Sequence, residues 1–283
     1  MKIVTDGRRW PPSPWRKIQI GFARWARDAL RPDVEIQAEG KTYRFQCEGK
    51  RDLRRCMSAL VKEAGTCAWI VSEVRPGEVF YDIGANIGLY TVMAAQQVGA
   101  EGRVYAFEPH GANFARLVDN IAVNDLAGIV SPCSFALNDR SGLIPFNYIS
   151  LMTGTSNSQL GSLRDGEEQE FRPALSEPKA AMAVDDLIDG QGFRMPHHVK
   201  LDVDGNELLI LRGMTRTLMR ADKPRSIQIE MNLRGKAETL DFMSRHGYRL
   251  ADRHYTRSGL KKIAVGGDPE AYAYNAIFHP QSA

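Results

Sequence analysis

The sequence predicts an α/β fold: a mostly parallel sheet with helices on both faces, closed by an antiparallel hairpin. Three observations predict it. Beyond Gly77, β-rich runs recur at "EVFYDIG", "RVYAFEP", "IVSPCSFAL", "HHVKLDVDG", "SIQIEMN", "YRLADR" and "AYNAIFHP". Helical patterns, notably Leu89 to Val98 and Gly111 to Val123, separate the first three runs, and such alternation builds parallel sheets. The last two runs have no convincing helix between them and residues 252–271 read as loop, so those strands are expected to pair antiparallel.

The chain opens on a basic arm. Residues 1–31 carry Lys2, Arg8, Arg9, Arg16, Lys17, Arg24, Arg27 and Arg31 against Asp6 and Asp28, a net +6 that leaves −3 for the remainder. From Trp15, the residues Ile18, Phe22, Trp25 and Ala29 follow at steps of three and four, with cations filling much of the rest, which describes a basic amphipathic helix with an aromatic side. Such a helix can lie in a membrane interface, cations on anionic lipid, or dock on the protein's own core or a second subunit. Next, "VEIQAEGKTYRFQCEG" alternates around Glu39-Gly40 as a β-hairpin. "DLRRCMSALVKEAGTCAWIVSEV" continues as one helix or two, and Arg75-Pro76-Gly77-Glu78 punctuates the chain before the first run of the sheet.

Composition limits the function classes. At 283 residues, 43% hydrophobic and 25% charged, the chain can bury a sizeable core and is not a disordered polymer. Cys47, Cys56, Cys67 and Cys133 match no zinc or redox spacing and are expected as reduced thiols in a cytoplasmic protein. No apolar stretch reaches the roughly 20 residues of a membrane span, and the N-terminus lacks a signal-peptide pattern. Outside the arm no stretch reads as a basic groove, and the Asn-Pro-Pro-aromatic motif of base methylation is missing, which argues against a nucleic-acid substrate.

In an open parallel sheet the ligand sits beyond the carboxyl ends of the strands. Asp82, Glu108, Asp139, Asp202 and Glu230 all fall at or just past such ends, so these acids are expected at one rim. In "VFYDIGANIGLYTVMAA", Gly84 and Gly88 permit a sharp turn and close approach, with Asn86 able to cap the next helix. A dinucleotide site would place G-x-G-x-x-G here, but Asp82 stands where its first glycine belongs. That acid repels phosphate and suits a cationic ligand, while Glu108, twenty residues after Gly88, is positioned to accept hydrogen bonds from a ribose. A nucleoside carrying an ammonium and a sulfonium, S-adenosylmethionine, fits both acids.

Asp202 and Glu230 end neighbouring strands, with Asn232 just beyond. The two carboxylates and the amide could hold Mg²⁺ and lower the pKa of an acceptor hydroxyl, or Asp202 could act directly as base, with Glu230 beside it. Asp202 could instead cap backbone amides of the "DVDGNE" turn, and Glu207 is expected to face that turn or an arginine. His110 follows Glu-Pro near the cofactor, whereas His197 and His198 enter their strand from the far end. Residues 141–180 include the polar, glycine-rich "TGTSNSQLGSLRDGEEQE", expected as a substrate loop in which Thr155, Ser156, Asn157 and Gln159 suit a sugar, or as a surface insertion.

"DIGANIGLYT", "AFEPHGANFARLVDNIAVN", "ALNDRSG", "VDDLI" and "VKLDVDGNELLILRGM" resemble the FkbM family of S-adenosylmethionine-dependent methyltransferases over about residues 76–279. The resemblance implies the Rossmann-like class I methyltransferase fold, a seven-stranded sheet with an antiparallel last strand. It also implies that Gly84, Asn86 and Gly88 line the methionine part of the cofactor, Glu108 the ribose, and Asn138 with Asp139 the adenine. Asn113 would fix the loop after Glu108 or cap a helix. Asp204 stands where the family usually has Glu, and its shorter reach speaks against chemistry there. The expected organisation is an arm at 1–31, a hairpin and helical subdomain at 32–75, and a methyltransferase domain at 76–283. The expected activity is O-methylation of a saccharide, glycolipid or related natural product. The alternative is an inactive binding or scaffold protein of the same fold at a membrane or partner surface.

Overall fold

The computed structural model describes residues 14–30, 33–38, 40–164, 169–232 and 235–281. Of the arm's charges, Lys2, Asp6, Arg8, Arg9, Arg31 and the side chains of Arg16, Arg27 and Asp28 lie outside the described residues, as do residues 165–168 of the expected substrate loop.

Helix α1 (Pro14–Leu30) precedes a hairpin, β1 (Asp33–Ala38) and β2 (Lys41–Gln46), and two helices, α2 (Lys50–Lys62) and α3 (Ala64–Glu73). The main sheet begins with β3 (Val79–Ile83), α4 (Leu89–Val98), β4 (Arg103–Phe107), α5 (Gly111–Val123) and β5 (Val130–Cys133). Four strands then form a separate sheet: β6 (Ala136–Leu137), β7 (Gly142–Tyr148), β8 (Gln159–Leu160) and β9 (Leu175–Met182). The chain returns through α6 (Val184–Gly190) to β10 (His198–Leu201), α7 (Glu207–Arg212), α8 (Thr215–Met219), β11 (Ser226–Met231) and α9 (Lys236–Arg245). It finishes with β12 (Tyr248–Tyr255), α10 (Arg257–Ala264) and β13 (Tyr274–Pro280).

The seven-stranded sheet has the order β12-β13-β11-β10-β3-β4-β5, and β13 runs antiparallel to both its neighbours. This is the class I methyltransferase sheet. Its central strands are buried on both faces, which is why β3, β10 and β11 read as near-continuous apolar runs. Alternate residues feed two cores. Phe80, Val104 and Ala106 pack with α3, α4 and α5, while Tyr81, Tyr105 and Phe107 pack on the opposite face with residues of α6 to α9. The hairpin and α2 share the first of these cores through Tyr43, Phe45 and Cys56, and Gln46 N donates to Asn120 Oδ1 at 2.8 Å. The switch point lies between β3 and β10, where the strand order reverses; ligands of such sheets bind there.

Three readings of the sequence need correction. The run "IVSPCSFAL" is two strands: β5 stays at the edge of the main sheet, where Pro132 forfeits no ladder bond on the open side, and β6 pairs with β9 elsewhere. Residues 141–180 carry an antiparallel sheet, not only a loop; its signal is masked because Pro145 sits opposite Pro178. Residues 252–271 hold the end of β12 and all of α10, whose first-turn Gly259 hides the helix, although Thr256 caps it by accepting from Gly259 N.

The arm departs from one of its two readings. On α1, Trp15 is 75% exposed, Phe22 59% and Trp25 64%, so the aromatic stripe is not docked on the chain's own core. No described helix is long and apolar enough to cross a membrane.

Candidate active site

Beyond the switch point opens a cleft partly continuous with solvent, at the place where such sheets bind their ligands. Gly84, Asn86, Glu108, Asn113, Asp202 and Glu230 line it. The register explains the convergence: Ile83 pairs with Leu201, so the turn after β3 lies against the turn after β10. Gly84 has φ +80°, and a Cβ there would come within 1.8 Å of the Asp202 carbonyl oxygen. Only glycine permits that contact.

Glu108 is held ready. Its Oε2 accepts from Asn86 N at 2.7 Å and its Oε1 from His110 N at 2.7 Å. Burial nevertheless raises its carboxyl to about 7, against the opposing effect of those two amides. Behind it, Phe107, Pro109, Phe135 and Leu137 line an apolar cavity of about 400 Å³ that shares Gly84 with the cleft. An aromatic base fits this slot, a ribose the Glu108 rim, and a charged head the polar end.

The acids do not all face the cleft. Asp82 is fully buried beneath it, accepting from Thr91 Oγ1 at 2.6 Å and lying 3.4 Å from Lys200 Nζ. Asp202 pairs with the same ammonium at 3.3 Å. Burial works against its charge, but Lys200 outweighs burial and holds the carboxyl below its ordinary value. Asp202 is therefore not the cap of the following turn; Glu207 Oε1 takes that part, accepting from Val203 N at 3.2 Å and Gly205 N at 3.0 Å.

One carboxylate oxygen from each of Asp202, Asp204 and Glu230 lies within 4.8 Å of the others. Asp204, discounted from its sequence, thus joins the pair, while Asn232 turns its Nδ2 toward Glu230 Oε2 at 3.4 Å. Burial, then the charges of Asp202 and Asp204, push the Glu230 carboxyl well above its ordinary range. Such a trio can take up a proton or hold a hard cation.

Other expected residues fall outside the cavity walls. The Cβ position of Gly88 faces Leu117 Cδ1 at 2.7 Å, so this glycine seats α5 against the turn. Asn138 is buried, its backbone N bonded to Met182 O, and it approaches Gly213; the apolar slot is walled instead by Ala136 and Leu137. Asp139 likewise lines neither cavity. His198 sits at the far end of β10, bonded to Ser226 Oγ and Glu78 Oε2.

The loop 149–158 roofs the cleft. Asn86 Nδ2 and Asn113 Nδ2 each donate to Thr155 O at 3.0 Å, and Asn157 N donates to Asp204 Oδ2 at 2.7 Å. Helix α2 pins it from the other side: Arg51 Nη1 donates to Thr155 Oγ1 at 2.8 Å, and Arg55 donates to Gly154 O at 2.8 Å and to Ser156 Oγ. Arg55, Lys62 and Glu63 also line the cleft. Sequence reasoning missed all three; the only signal was the break at "KEAGT", where α2 gives way to α3.

The chain is similar to known proteins. The Methyltransferase FkbM domain model matches residues 82–250. The hexuronic acid methyltransferase AglP of Haloferax volcanii is 27% identical over 193 residues, covering 67% of this chain and 72% of that protein. The 31-O-demethyl-FK506 methyltransferase FkbM of Streptomyces tacrolimicus is 28% identical over 186 residues, covering 56% of this chain and 65% of that one. Among solved structures, a SAM-dependent O-methyltransferase of Thermotoga maritima aligns at 12% identity and a TM-score of 0.45, over 89% of this chain and 79% of the other.

Proposed function

The chain belongs to the FkbM methyltransferase family and is an S-adenosylmethionine-dependent methyltransferase; from that premise we propose that it methylates a hydroxyl of a saccharide, glycolipid or related natural product. The observation that carries the proposal is one cleft running from the ribose-type acid Glu108 to the carboxylates Asp202, Asp204 and Glu230. One relative is named for a hexuronic acid and another for 31-O-demethyl-FK506, which supports an oxygen acceptor. The neutral polar roof of Thr155, Ser156 and Asn157 supports a hydroxyl-rich one.

The residues fit the cofactor. Gly84 lets the turn pack against the Asp202 carbonyl and lines the cleft, Glu108 offers carboxylate oxygens already oriented, and the acids of the wall outnumber its cations, Arg55 and Lys62. Bound S-adenosylmethionine supplies an electrophilic methyl on a sulfonium. Glu108 would hold the ribose, with Gly84, Asn86 and Asn113 around the chain of the cofactor. Asp82 acts from below, keeping Lys200 and through it Asp202 in place. Glu230 would take the acceptor's proton, since its raised carboxyl makes it the more basic of the rim acids, and Asp202, kept ionised by Lys200, would orient the hydroxyl. If Mg²⁺ takes part, Asp202, Asp204 and Glu230 would hold it, in place of Asn232.

The exposed aromatic stripe of α1 favours a peripheral contact with the cytoplasmic membrane face, which would bring a lipid-linked glycan within reach.

The test is methyl transfer from methyl-labelled cofactor to panels of glycans, glycolipids and polyketides, with Mg²⁺ or with chelator, for the wild type and Glu230→Gln. Label on an oxygen, lowered about 10²- to 10⁴-fold in the variant, is expected. Cofactor binding with no labelled acceptor in any panel would favour the scaffold reading instead.

A further inference from the structure

The cleft continues past Gly84 and Asn86 into a small third cavity lined by Glu63, Tyr90, Lys200 and Asp202. Gly84 lines all three cavities, so they adjoin one another around the turn after β3. The apolar slot at one end suits the adenine, and Glu108 stands between that slot and the turn. Whatever lies beyond the turn receives the other end of the cofactor, an amino acid with an ammonium and a carboxylate.

The wall at that end comes from the junction of α2 and α3, outside the residues matched by the family model. Glu63 has a side chain only 13% exposed, and its Oε1 meets Lys62 Nζ at 3.3 Å. Its Oε2 is buried and makes no hydrogen bond of ordinary geometry among the described residues, although the Tyr90 hydroxyl, which lines the same cavity, interacts with this side chain. A polar oxygen left without a well-formed partner in a buried site is costly, so such an atom points to a donor supplied from outside the chain. The cations Arg55 and Lys62 line the same cleft and offer a counter-charge for a carboxylate.

We propose that Glu63 is a cofactor-binding residue that accepts a hydrogen bond from the α-ammonium of S-adenosylmethionine, with the N-terminal helices thereby completing the cofactor site. This rests on the methyltransferase reading and adds a residue to it. The neighbouring acid Asp202 is already committed to Lys200, and Glu108 to two backbone amides. Glu63 Oε2 is the carboxylate oxygen of this wall that is fully buried without a well-formed partner among the described residues.

Ligand truncation tests it. Calorimetry would compare S-adenosylhomocysteine, which has the amino-acid head, with 5′-methylthioadenosine, which lacks it, on the wild type, Glu63→Gln and Glu63→Asp. A charged hydrogen bond of this kind predicts about a 10- to 100-fold loss of S-adenosylhomocysteine affinity in Glu63→Gln, unchanged binding of 5′-methylthioadenosine, and partial recovery in Glu63→Asp. Equal losses for both ligands would assign Glu63 a merely structural part and overturn the proposal, as would an unchanged S-adenosylhomocysteine affinity. A wild type that binds neither nucleoside overturns the cofactor reading itself, a result visible before any variant is made.

Discussion

The ammonium of Lys200 lies 3.3 Å from Asp202 Oδ2, and on its other side stands Asp82 Oδ1 at 3.4 Å. All three belong to the switch point: Lys200 on β10 is paired in register with Asp82 on β3. Lys200 is 1% exposed, and burial alone would strip its charge, but Asp202 and Asp82 outweigh that and hold the ammonium above its ordinary range. Lys200→Met should leave two acids without a counter-charge and cost about 3–5 kcal/mol of stability by urea denaturation. A loss below about 1 kcal/mol would show that the pair does not hold the site together.

Glu108 makes cofactor affinity depend on pH. Its carboxyl titrates near 7 in the folded chain, against an ordinary 4.5. Below about pH 7 the folded protein protonates it, and an acceptor for ribose hydroxyls is replaced by a carboxylic acid. Affinity for S-adenosylhomocysteine should therefore fall as pH drops from about 8 to 5.5, approaching tenfold per unit below 7. The stability of the free chain moves the other way: ionised Glu108 costs energy when buried, so between about pH 7 and 4.5 its contribution to stability rises as pH falls. Calorimetry across that range on the wild type and Glu108→Gln decides; a flat wild-type profile would remove Glu108 from the ligand.

The turn after β3 and the placing of Glu108, Asp202 and Glu230 at one cleft were legible because they follow one rule, that a parallel sheet gathers its ligands at the carboxyl ends, whereas Asp82 and Asp139 do not line it. Helices at 89–98 and 111–123 were legible from periodicity alone. What stayed hidden depends on long-range contact. Nothing local marks Asp204 as a member of the carboxylate trio, since its position follows from φ +60° in the turn after β10. Nothing in "DLRRCMSALVKE" tells that Arg55 and Glu63 reach a cleft otherwise built by residues from Gly84 to Glu230. The second sheet was hidden for a local reason, Gly142 and Pro145 in β7 and Pro178 in β9.

Helix α2 should govern the roof of the cleft. Arg55 holds Gly154 O and Ser156 Oγ, and Gly154 passes so near Asp52 that a Cβ would meet its backbone N at 2.9 Å. Arg55→Ala removes charged donors worth about 1.5–3 kcal/mol and should loosen residues 149–158. Limited proteolysis in that loop should become several-fold faster, and S-adenosylhomocysteine should restore part of the protection. Cleavage rates equal to those of the wild type would mean that Asn86, Asn113, Arg51 and Asp204 hold the roof without Arg55.

On α1, Trp15, Ile18, Phe22 and Trp25 are each more than half exposed while Lys17 and Arg24 face solvent on the same helix. An apolar stripe left open beside cations matches an anionic bilayer surface, where each cation near the headgroups contributes about 1 kcal/mol and the aromatic rings add burial. The full chain should sediment with vesicles containing phosphatidylserine or phosphatidylglycerol and not with purely zwitterionic ones. Raising salt to about 0.5 M should release part of it, because the Debye length then falls well below 10 Å. Trp15→Ala with Trp25→Ala should abolish sedimentation without lowering the melting temperature, as neither ring is packed in the core. Wild-type protein that stays in the supernatant at low salt would reject the lipid reading, and a concentration-dependent mass in solution would then assign the stripe to a second copy of the chain.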